Sequence, residues 1–290
     1  MTALLVEDLP RGLIAPVHPA TDPMTRRLGL GRLRTVGLDT LMDQAALMER
    51  TDHKYIVPVS TARALVDAIA DTHRVLKING RRYTSYQSLY FDTLDLRSVQ
   101  SHIQRRRRRW KVRSRLYVED GLCRIEVKTK DNKGATVKVM GASDPSRFGS
   151  LVGDDREFVG LHLAGYADAN VATLMPAAEI DYTRSTLADL DAGTRVTIDW
   201  GLSTRTHMGA AWLNPGFVLV ETKGPAASSR ADQVLSEFRV RPQRFSKYVA
   251  SAATTTPRIP DNDYRRLLTR GVLHAQSGPH APQLMAVPSS

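Results

Sequence analysis

The chain has 290 residues, of which 42% are hydrophobic and 24% are charged, and its one cysteine is Cys123. This composition excludes a disordered, a collagenous or a disulfide-stapled protein, and the length suffices for a buried core. The formal charge of +11 favours polyanionic partners such as nucleic acid, acidic lipid or phosphate-rich small molecules. A lone cysteine predicts a reducing, cytoplasmic location, and no stretch approaches the roughly 20 apolar residues that span a bilayer.

Three segments of different character follow one another along the chain. Residues 1–35 contain four prolines, which break helices and central strands, and predict a loosely ordered lead-in. Residues 36–273 contain no linker-like stretch and predict a single domain. Residues 274–290 are rich in proline, glycine and serine and predict a disordered tail.

Helices and strands alternate within the predicted domain. Apolar spacing predicts a helix over 39–50 behind Asp39 and another over 60–72 with Ser60 as its N-cap. Further helices are predicted near residues 94–107, 155–175, 228–238 and 245–254. Alternating patterns joined by short turns predict antiparallel strands at residues 51–57, 83–91, 110–118, 122–130, 135–140, 179–187, 195–202 and 216–223. The result is an α+β domain whose antiparallel, eight-stranded sheet can close into a β-barrel with helices packed around it.

Charged residues fall on one face of several of these strands, because side chains alternate with a period of two. These faces carry Lys111, Arg113 and Arg115; Arg124, Glu126, Lys128 and Lys130; Lys138; Arg195, Thr197 and Asp199; and Glu221 with Lys223. One interpretation is an ordinary antiparallel sheet with its charged face in water. The other places the charged faces inside a barrel lumen, under outward apolar faces.

Two observations favour the lumen. Arginine dominates residues 105–115, whereas surface strands normally mix both signs of charge. Glu126 and Glu221 each precede a lysine by two residues, and a carboxylate among cations suits a divalent metal shared with phosphate oxygens. Such a lumen would bind a triphosphate through arginine forks and lysine point charges. The common nucleotide-binding loops are missing from the sequence, so they cannot explain use of a nucleotide.

Eight short motifs then suggest a family. They are RTDHKY (50–55), SLYFDT (88–93), KVRSRLY (111–117), RIEVKTK (124–130), DYTR (181–184), RVTID (195–199), VLVETK (218–223) and RFSKY (244–248). Together they resemble the VTC, or polyphosphate polymerase, domain of the triphosphate tunnel metalloenzyme superfamily, over roughly residues 36–254. The resemblance implies an eight-stranded antiparallel tunnel lined by basic residues. It also implies transfer of the γ-phosphoryl group of ATP, or another NTP, to a polyphosphate chain with Mn²⁺ or Mg²⁺.

The resemblance also implies roles for individual residues. The tunnel residues that would grip the triphosphate or the product chain are Lys54, Arg113, Arg115, Lys128, Arg184 and Arg195. Further phosphate-binding residues would be Lys111, Lys130, Lys223, Arg244, Ser246 and Lys247. Glu221 would hold the metal, with Glu126 as a second candidate. Eukaryotic members of the family act in a membrane complex, so a membrane-protein partner is a further expectation.

Three alternatives stay open. A triphosphatase of the same fold is one, although Thr51-Asp52-His53-Lys54 lacks the Glu-x-Glu-x-Lys motif of the hydrolytic branch, which favours transfer. A non-catalytic polyphosphate-binding module is the second. Binding of nucleic acid by residues 105–115 is the weakest, because aromatic residues are sparse. The run Arg105 to Arg109 matches no family motif and is interpreted as a solvated helix end or loop that could collect polyanions.

Overall fold

The computed structural model describes residues 22–44, 51–166, 168–225 and 228–278. Its helices are α1 (Pro23–Arg27), α2 (Leu38–Gln44), α3 (Val59–Ala68), α4 (Arg97–Ile103), α5 (Gly153–Leu163), α6 (Arg230–Glu237), α7 (Lys247–Thr255) and α8 (Arg265–Thr269). Its strands are β1 (Thr35–Val36), β2 (Thr51–Pro58), β3 (Arg74–Leu76), β4 (Thr84–Asp92), β5 (Arg109–Tyr117), β6 (Leu122–Lys130), β7 (Thr136–Ser143), β8 (Met175–Asp189), β9 (Thr194–Thr206), β10 (Gly209–Leu213), β11 (Phe217–Gly224) and β12 (Leu273–Ser277).

The eight predicted strands form one antiparallel sheet, in the order β7-β6-β5-β4-β8-β9-β11-β2. The α+β fold with a predominantly antiparallel sheet is therefore confirmed. Among the described residues β2 and β7 do not pair with each other, so the sheet is curled rather than fully closed by hydrogen bonds. The four strands that the sequence pattern missed are β1, β3, β10 and β12, which extend the margins of the sheet.

Apolar residues cover the convex face of the curled sheet. Val57, Val196 and Val220 pack against α3 and α6 on one side, and Val112 and Val127 pack against α5 on the other. Strand alternation then turns the charged residues toward the concave face.

Helix α7 lies against the concave face and belongs to a third apolar cluster. That cluster includes Tyr182 and Leu219 from the sheet and Tyr248 from the helix. The Tyr248 hydroxyl donates a hydrogen bond of 2.7 Å to Asp92 Oδ2. The contact fixes α7 to β4.

The chain ends depart from the sequence expectation where the structure describes them. Residues 22–35 are ordered rather than loose, because Asp22 caps α1 and Pro23 occupies its first turn, where a proline is tolerated. Leu28 and Leu30 are fully buried in the core. Residues 1–21 lie outside the described residues. At the other end β12 pairs with β10, so the predicted tail is ordered as far as Ser277, and residues 279–290 lie outside the described residues.

Helix boundaries also differ from those that the spacing predicted. Helix α3 begins at Val59 rather than behind Ser60, because Val59 N donates to Gly216 O at 2.9 Å and needs no side-chain cap. Helices α4 and α5 are shorter than predicted, and α2 is described only as far as Gln44. No helix in the described part of the chain is long and apolar enough to cross a membrane.

Candidate functional site

The concave face of the sheet encloses a cavity of about 240 Å³, hereafter the inner cavity. Among the described residues its lining includes nine cations, Lys54, Lys111, Arg113, Arg115, Lys128, Lys138, Arg184, Lys223 and Lys247, and three carboxylates, Asp52, Glu126 and Glu221. These residues come from β2, β5, β6, β7, β8, β11 and α7. The charged faces therefore converge on one partly open cavity, although Lys128 and Lys138 also reach solvent.

Most of the predicted site residues meet in this cavity, and three do not line it. Arg244 lies in a neighbouring cavity. Lys130 pairs with Arg109 at the end of the β5–β6 ladder. Arg195 is half-buried on β9 and pairs with Lys223 of β11 in the strand register. Ser246 lines the inner cavity and accepts a hydrogen bond of 2.9 Å from Lys111 Nζ.

Glu126 holds the cations of the β5–β7 wall in place. Its side chain is 2% exposed, and its Oε2 lies 2.8 Å from Arg113 Nε and 3.1 Å from Lys138 Nζ. Arg115 NH1 is 3.6 Å from the other carboxylate oxygen. Burial acts to raise the pKa of Glu126, but Arg113, Arg115 and Lys138 outweigh it and hold that pKa well below its usual range. The carboxylate stays ionised and fixes the two guanidinium groups.

Asp199 has the same role on the opposite wall, where β8, β9 and α7 meet. It is fully buried, and Arg184 donates to it from Nε at 2.6 Å and from NH2 at 2.8 Å. Lys247 Nζ forms a second ion pair with the same carboxylate. Burial opposes ionisation, yet Arg184 and Lys247 lower the pKa of Asp199. Strand alternation predicts Asp199 on a charged strand face, but the sequence pattern assigns it no role.

Glu221 is the most accessible of these three buried carboxylates. Its side chain is 12% exposed, against 2% for Glu126 and none for Asp199. It lies 3.1 Å from Lys223 Nζ and 3.5 Å from Lys54 Nζ. Burial acts against the charged form, but these lysines keep the pKa of Glu221 well below its usual value.

Two tyrosine hydroxyls accept hydrogen bonds from the arginines of the inner cavity, and the sequence pattern did not identify either tyrosine as a site residue. Tyr90 OH accepts from Arg113 NH1 at 2.7 Å, and Tyr182 OH accepts from Arg115 NH2 at 2.9 Å. The Tyr182 ring also lies beneath Lys247 Nζ, 4.2 Å from the ring centroid. Strand alternation places Tyr182 two residues before Arg184, on the same face, and that signal could have identified it.

The inner cavity carries more positive charge than its own carboxylates neutralise, since nine cations and three carboxylates among the described residues line it. Burial, followed by repulsion from Lys128 and Lys54, lowers the pKa of Lys111 well below its usual value. Burial also lowers the pKa of Lys138 and that of Lys223 to about 8, against the partial support of Glu126 and Glu221. A bound anion would favour the protonated form of these lysines.

A second, wider cavity, hereafter the vestibule, adjoins the inner cavity. It measures about 620 Å³ and shares Asp52, Lys54, Phe245 and Ser246 with the inner cavity. Its remaining lining includes Arg105, Arg109, Arg244 and His102. Burial, followed by the nearby Lys111, lowers the pKa of His102 to about 2, so this ring is neutral.

The donor set limits how a divalent metal could bind. In the part of the chain that the structure describes, no group of three or more His, Cys, Asp or Glu side chains could hold a metal ion. Mg²⁺ commonly takes one or two carboxylates together with substrate phosphate oxygens. Both Glu126 and Glu221 face the inner cavity among three cations, but Glu221 fits that arrangement better because its side chain is 12% exposed and that of Glu126 only 2%.

One comparison with known proteins shows the family. The VTC domain model matches residues 49–256. A search of curated proteins found no match. Among solved structures, a putative adenylyl cyclase from Hippeastrum, described as having a dominant triphosphatase activity, is 18% identical with a TM-score of 0.45, covering 70% of this chain and 94% of that chain. A putative adenylate cyclase from Vibrio parahaemolyticus is 11% identical with a TM-score of 0.41, covering 69% of this chain and 96% of that chain.

Proposed function

The chain belongs to the VTC domain family, and we therefore propose that it is a polyphosphate polymerase. The reaction is transfer of the γ-phosphoryl group of ATP, or another NTP, to a polyphosphate chain inside the inner cavity. The observation that carries this proposal is the convergence of Lys and Arg side chains from both walls on one cavity, beside the partly accessible carboxylate of Glu221.

The cations are fixed before any substrate arrives. Glu126 orients Arg113 and Arg115, while Asp199 orients Arg184 and Lys247. Positioning and electrostatic stabilisation supply most of the rate in phosphoryl transfer, so preset donors can stabilise the charge on the transferring group without reorganising. Arginine forks match phosphate oxygens, which suits Arg113, Arg115 and Arg184 to bind the triphosphate.

Glu221 is the residue that we assign to a divalent metal, Mn²⁺ or Mg²⁺, shared with phosphate oxygens. When bound, such an ion neutralises charge that develops on the phosphoryl oxygens during transfer. We assign Glu126 to positioning Arg113 and Arg115, because its side chain is 2% exposed, against 12% for Glu221, and Arg113 Nε already donates to it at 2.8 Å.

Transfer is favoured over hydrolysis by the weak basicity of two of the carboxylates that line the inner cavity. Glu126 and Glu221 are held at low pKa by their cations, so they are weak bases toward water. No histidine is among the described residues that line the inner cavity. The terminal oxygen of a polyphosphate acceptor is already ionised near neutral pH and needs no base. A cytoplasmic location and a membrane-protein partner that receives the product remain predictions.

The test is incubation of the purified protein with ATP and Mn²⁺, followed by separation of the products on a gel. Polyphosphate and NDP are expected. Release of orthophosphate without polymer would favour a triphosphatase, and tight polyphosphate binding without turnover would favour a binding module.

The Glu221→Gln variant tests the metal assignment within the same assay. Turnover should fall by about 100-fold or more, because a neutral amide binds a hard cation poorly. Glu237→Gln is the matched control, since Glu237 is 63% exposed and pairs only with Arg230 among the described side chains. Wild-type turnover by Glu221→Gln would overturn the metal assignment.

A further inference from the structure

The vestibule is connected to the inner cavity through shared lining residues on two elements. Asp52 and Lys54 of β2, and Phe245 and Ser246 before α7, face both spaces. A linear ligand bound among the inner cations can therefore pass into the vestibule without leaving protein surface. The arginines there belong to the run 105–109, which the VTC motifs do not include, and to the segment before α7.

Strand β5 carries one continuous row of cations through both spaces. Arg109, Lys111, Arg113 and Arg115 lie on the same face because each is two residues from the next. At 3.3 Å per residue the row spans about 20 Å. Lys111, Arg113 and Arg115 line the inner cavity, whereas Arg109 lines the vestibule. A triphosphate is shorter than the row, so only a longer chain can use its outer end.

Arg105 is held at the vestibule by a backbone conformation that suits glycine. It follows the last turn of α4, where Arg105 N donates to His102 O and Arg106 N donates to Ser101 O. These two bonds define a Schellman motif, in which the left-handed residue is usually glycine. Arg105 has a φ of 57°, which arginine rarely adopts. A glycine would form the same helix end, so the helix end does not explain why an arginine occupies this position.

Arg244 approaches the vestibule from the opposite side. The segment before α7 is tied to β2, because Gln243 N donates to Lys54 O at 2.8 Å. This contact sets Arg244 beside the mouth of the inner cavity, facing the same space as Arg105 and Arg109. Two separate parts of the chain thus supply guanidinium groups to one space.

We propose that the vestibule is a second phosphate-binding site, which engages the part of a linear polyphosphate that extends beyond the inner cavity. Arg105, Arg109 and Arg244 then determine selectivity for chain length, while the inner cations determine affinity for a triphosphate. This inference rests on the proposed function. It predicts that affinity increases with chain length past the size of tripolyphosphate, and that the increase depends on the vestibule arginines.

The experiment compares affinities for tripolyphosphate and for a long linear polyphosphate of defined length, measured by calorimetry at one fixed salt concentration with intact protein. Arg105→Gly should weaken long-chain binding about ten-fold and leave tripolyphosphate binding unchanged. Its melting temperature should stay the same or rise, because glycine adopts this conformation freely. Arg109→Gln should give the same selective loss, because Arg109 also lines the vestibule and not the inner cavity.

Arg107→Ala is the matched control, because it removes the same charge from the same run at an exposed position outside the vestibule lining. It should bind both ligands like the wild type. The proposal is overturned if Arg107→Ala equals Arg105→Gly, if both ligands weaken equally, or if a single-stranded oligonucleotide of equal charge displaces the long chain at similar affinity. A protein that binds neither phosphate ligand would instead refute the proposed function.

Discussion

The inner cavity and the vestibule are both rich in cations, but they hold those cations in different ways. In the inner cavity Glu126 and Asp199 fix the guanidinium groups, and Tyr90 and Tyr182 complete their hydrogen bonds. In the vestibule Arg105 and Arg244 are exposed. Preset groups suit catalysis, because they cost no reorganisation when charge develops, whereas exposed arginines suit capture of a polyanion.

The largest effect should come from removing the Asp199 carboxylate. Asp199→Asn leaves Arg184 and Lys247 near each other with one neutral partner, and breaking a buried ion pair costs about 3–5 kcal/mol. The free energy of unfolding, measured with denaturant, should fall by about that amount. Asp95→Asn is the control, because Asp95 and Arg97 form a solvent-exposed pair whose loss should leave the free energy of unfolding almost unchanged.

Tripolyphosphate sharpens the same test. The ligand supplies the missing negative charge to Arg184 and Lys247, so it should raise the melting temperature of Asp199→Asn by more than it raises that of the wild type. An equally small loss of stability in Asp199→Asn and Asp95→Asn would show that the inner cations do not depend on their buried anchor. The contrast between preset and exposed cations would then fail.

The next largest effect should be the pH dependence of ligand binding, which should differ between the inner cavity and the vestibule. The pKa values of Lys138 and Lys223 lie near 8 in the free protein, and a bound anion raises them. Both lysines are charged below pH 8, so tripolyphosphate affinity should vary little there on their account. Above pH 8 binding must take up protons, and affinity should fall by up to about ten-fold per lysine for each pH unit.

Calorimetry in buffers of different ionisation enthalpy would detect this proton uptake at pH 8.5. Arginine does not titrate in this range. The ratio of long-chain to tripolyphosphate affinity, which reports on the vestibule, should therefore stay constant from pH 7 to pH 9. Binding that releases protons above pH 8 would contradict the assignment of these lysines as ligand-facing groups.

Sequence pattern predicted the eight strands and the charged faces because both depend on local alternation. The same pattern placed Lys111, Arg113 and Arg115 together correctly, since they share one strand. It could not assign Asp199 to Arg184, because that contact depends on the register of β8 with β9 and on the irregularity between Asp181 and Thr183. Such registers are set by packing across the whole sheet and not by neighbouring residues.

Helix ends and the strands at the margins of the sheet were also harder to predict, because they too depend on contacts between residues that are distant in the sequence. Serine is a common N-cap residue, but Ser60 does not cap α3. The backbone carbonyl of a distant residue, Gly216, accepts the hydrogen bond from Val59 N in the first turn instead. Pro23 looked like a breaker and occupies the first turn of α1. Strand β12 forms because β10 offers it a partner, with Leu213 opposite Leu273.

The smallest expected effect tests whether neutral groups also position the inner cations. Tyr182→Phe removes the hydroxyl that accepts from Arg115 NH2 at 2.9 Å but keeps the ring beneath Arg184 and Lys247. Arg115 retains Ser88 and Glu126 as partners, so the loss should be about 1 kcal/mol in tripolyphosphate binding, or roughly five-fold in affinity. Tyr166→Phe is the control, because Tyr166 donates to Lys130 O and stacks with Arg108 away from both cavities. If Tyr182→Phe binds tripolyphosphate as tightly as Tyr166→Phe, the carboxylates alone fix the arginines. The inner cavity would then differ from the vestibule only in its buried carboxylates.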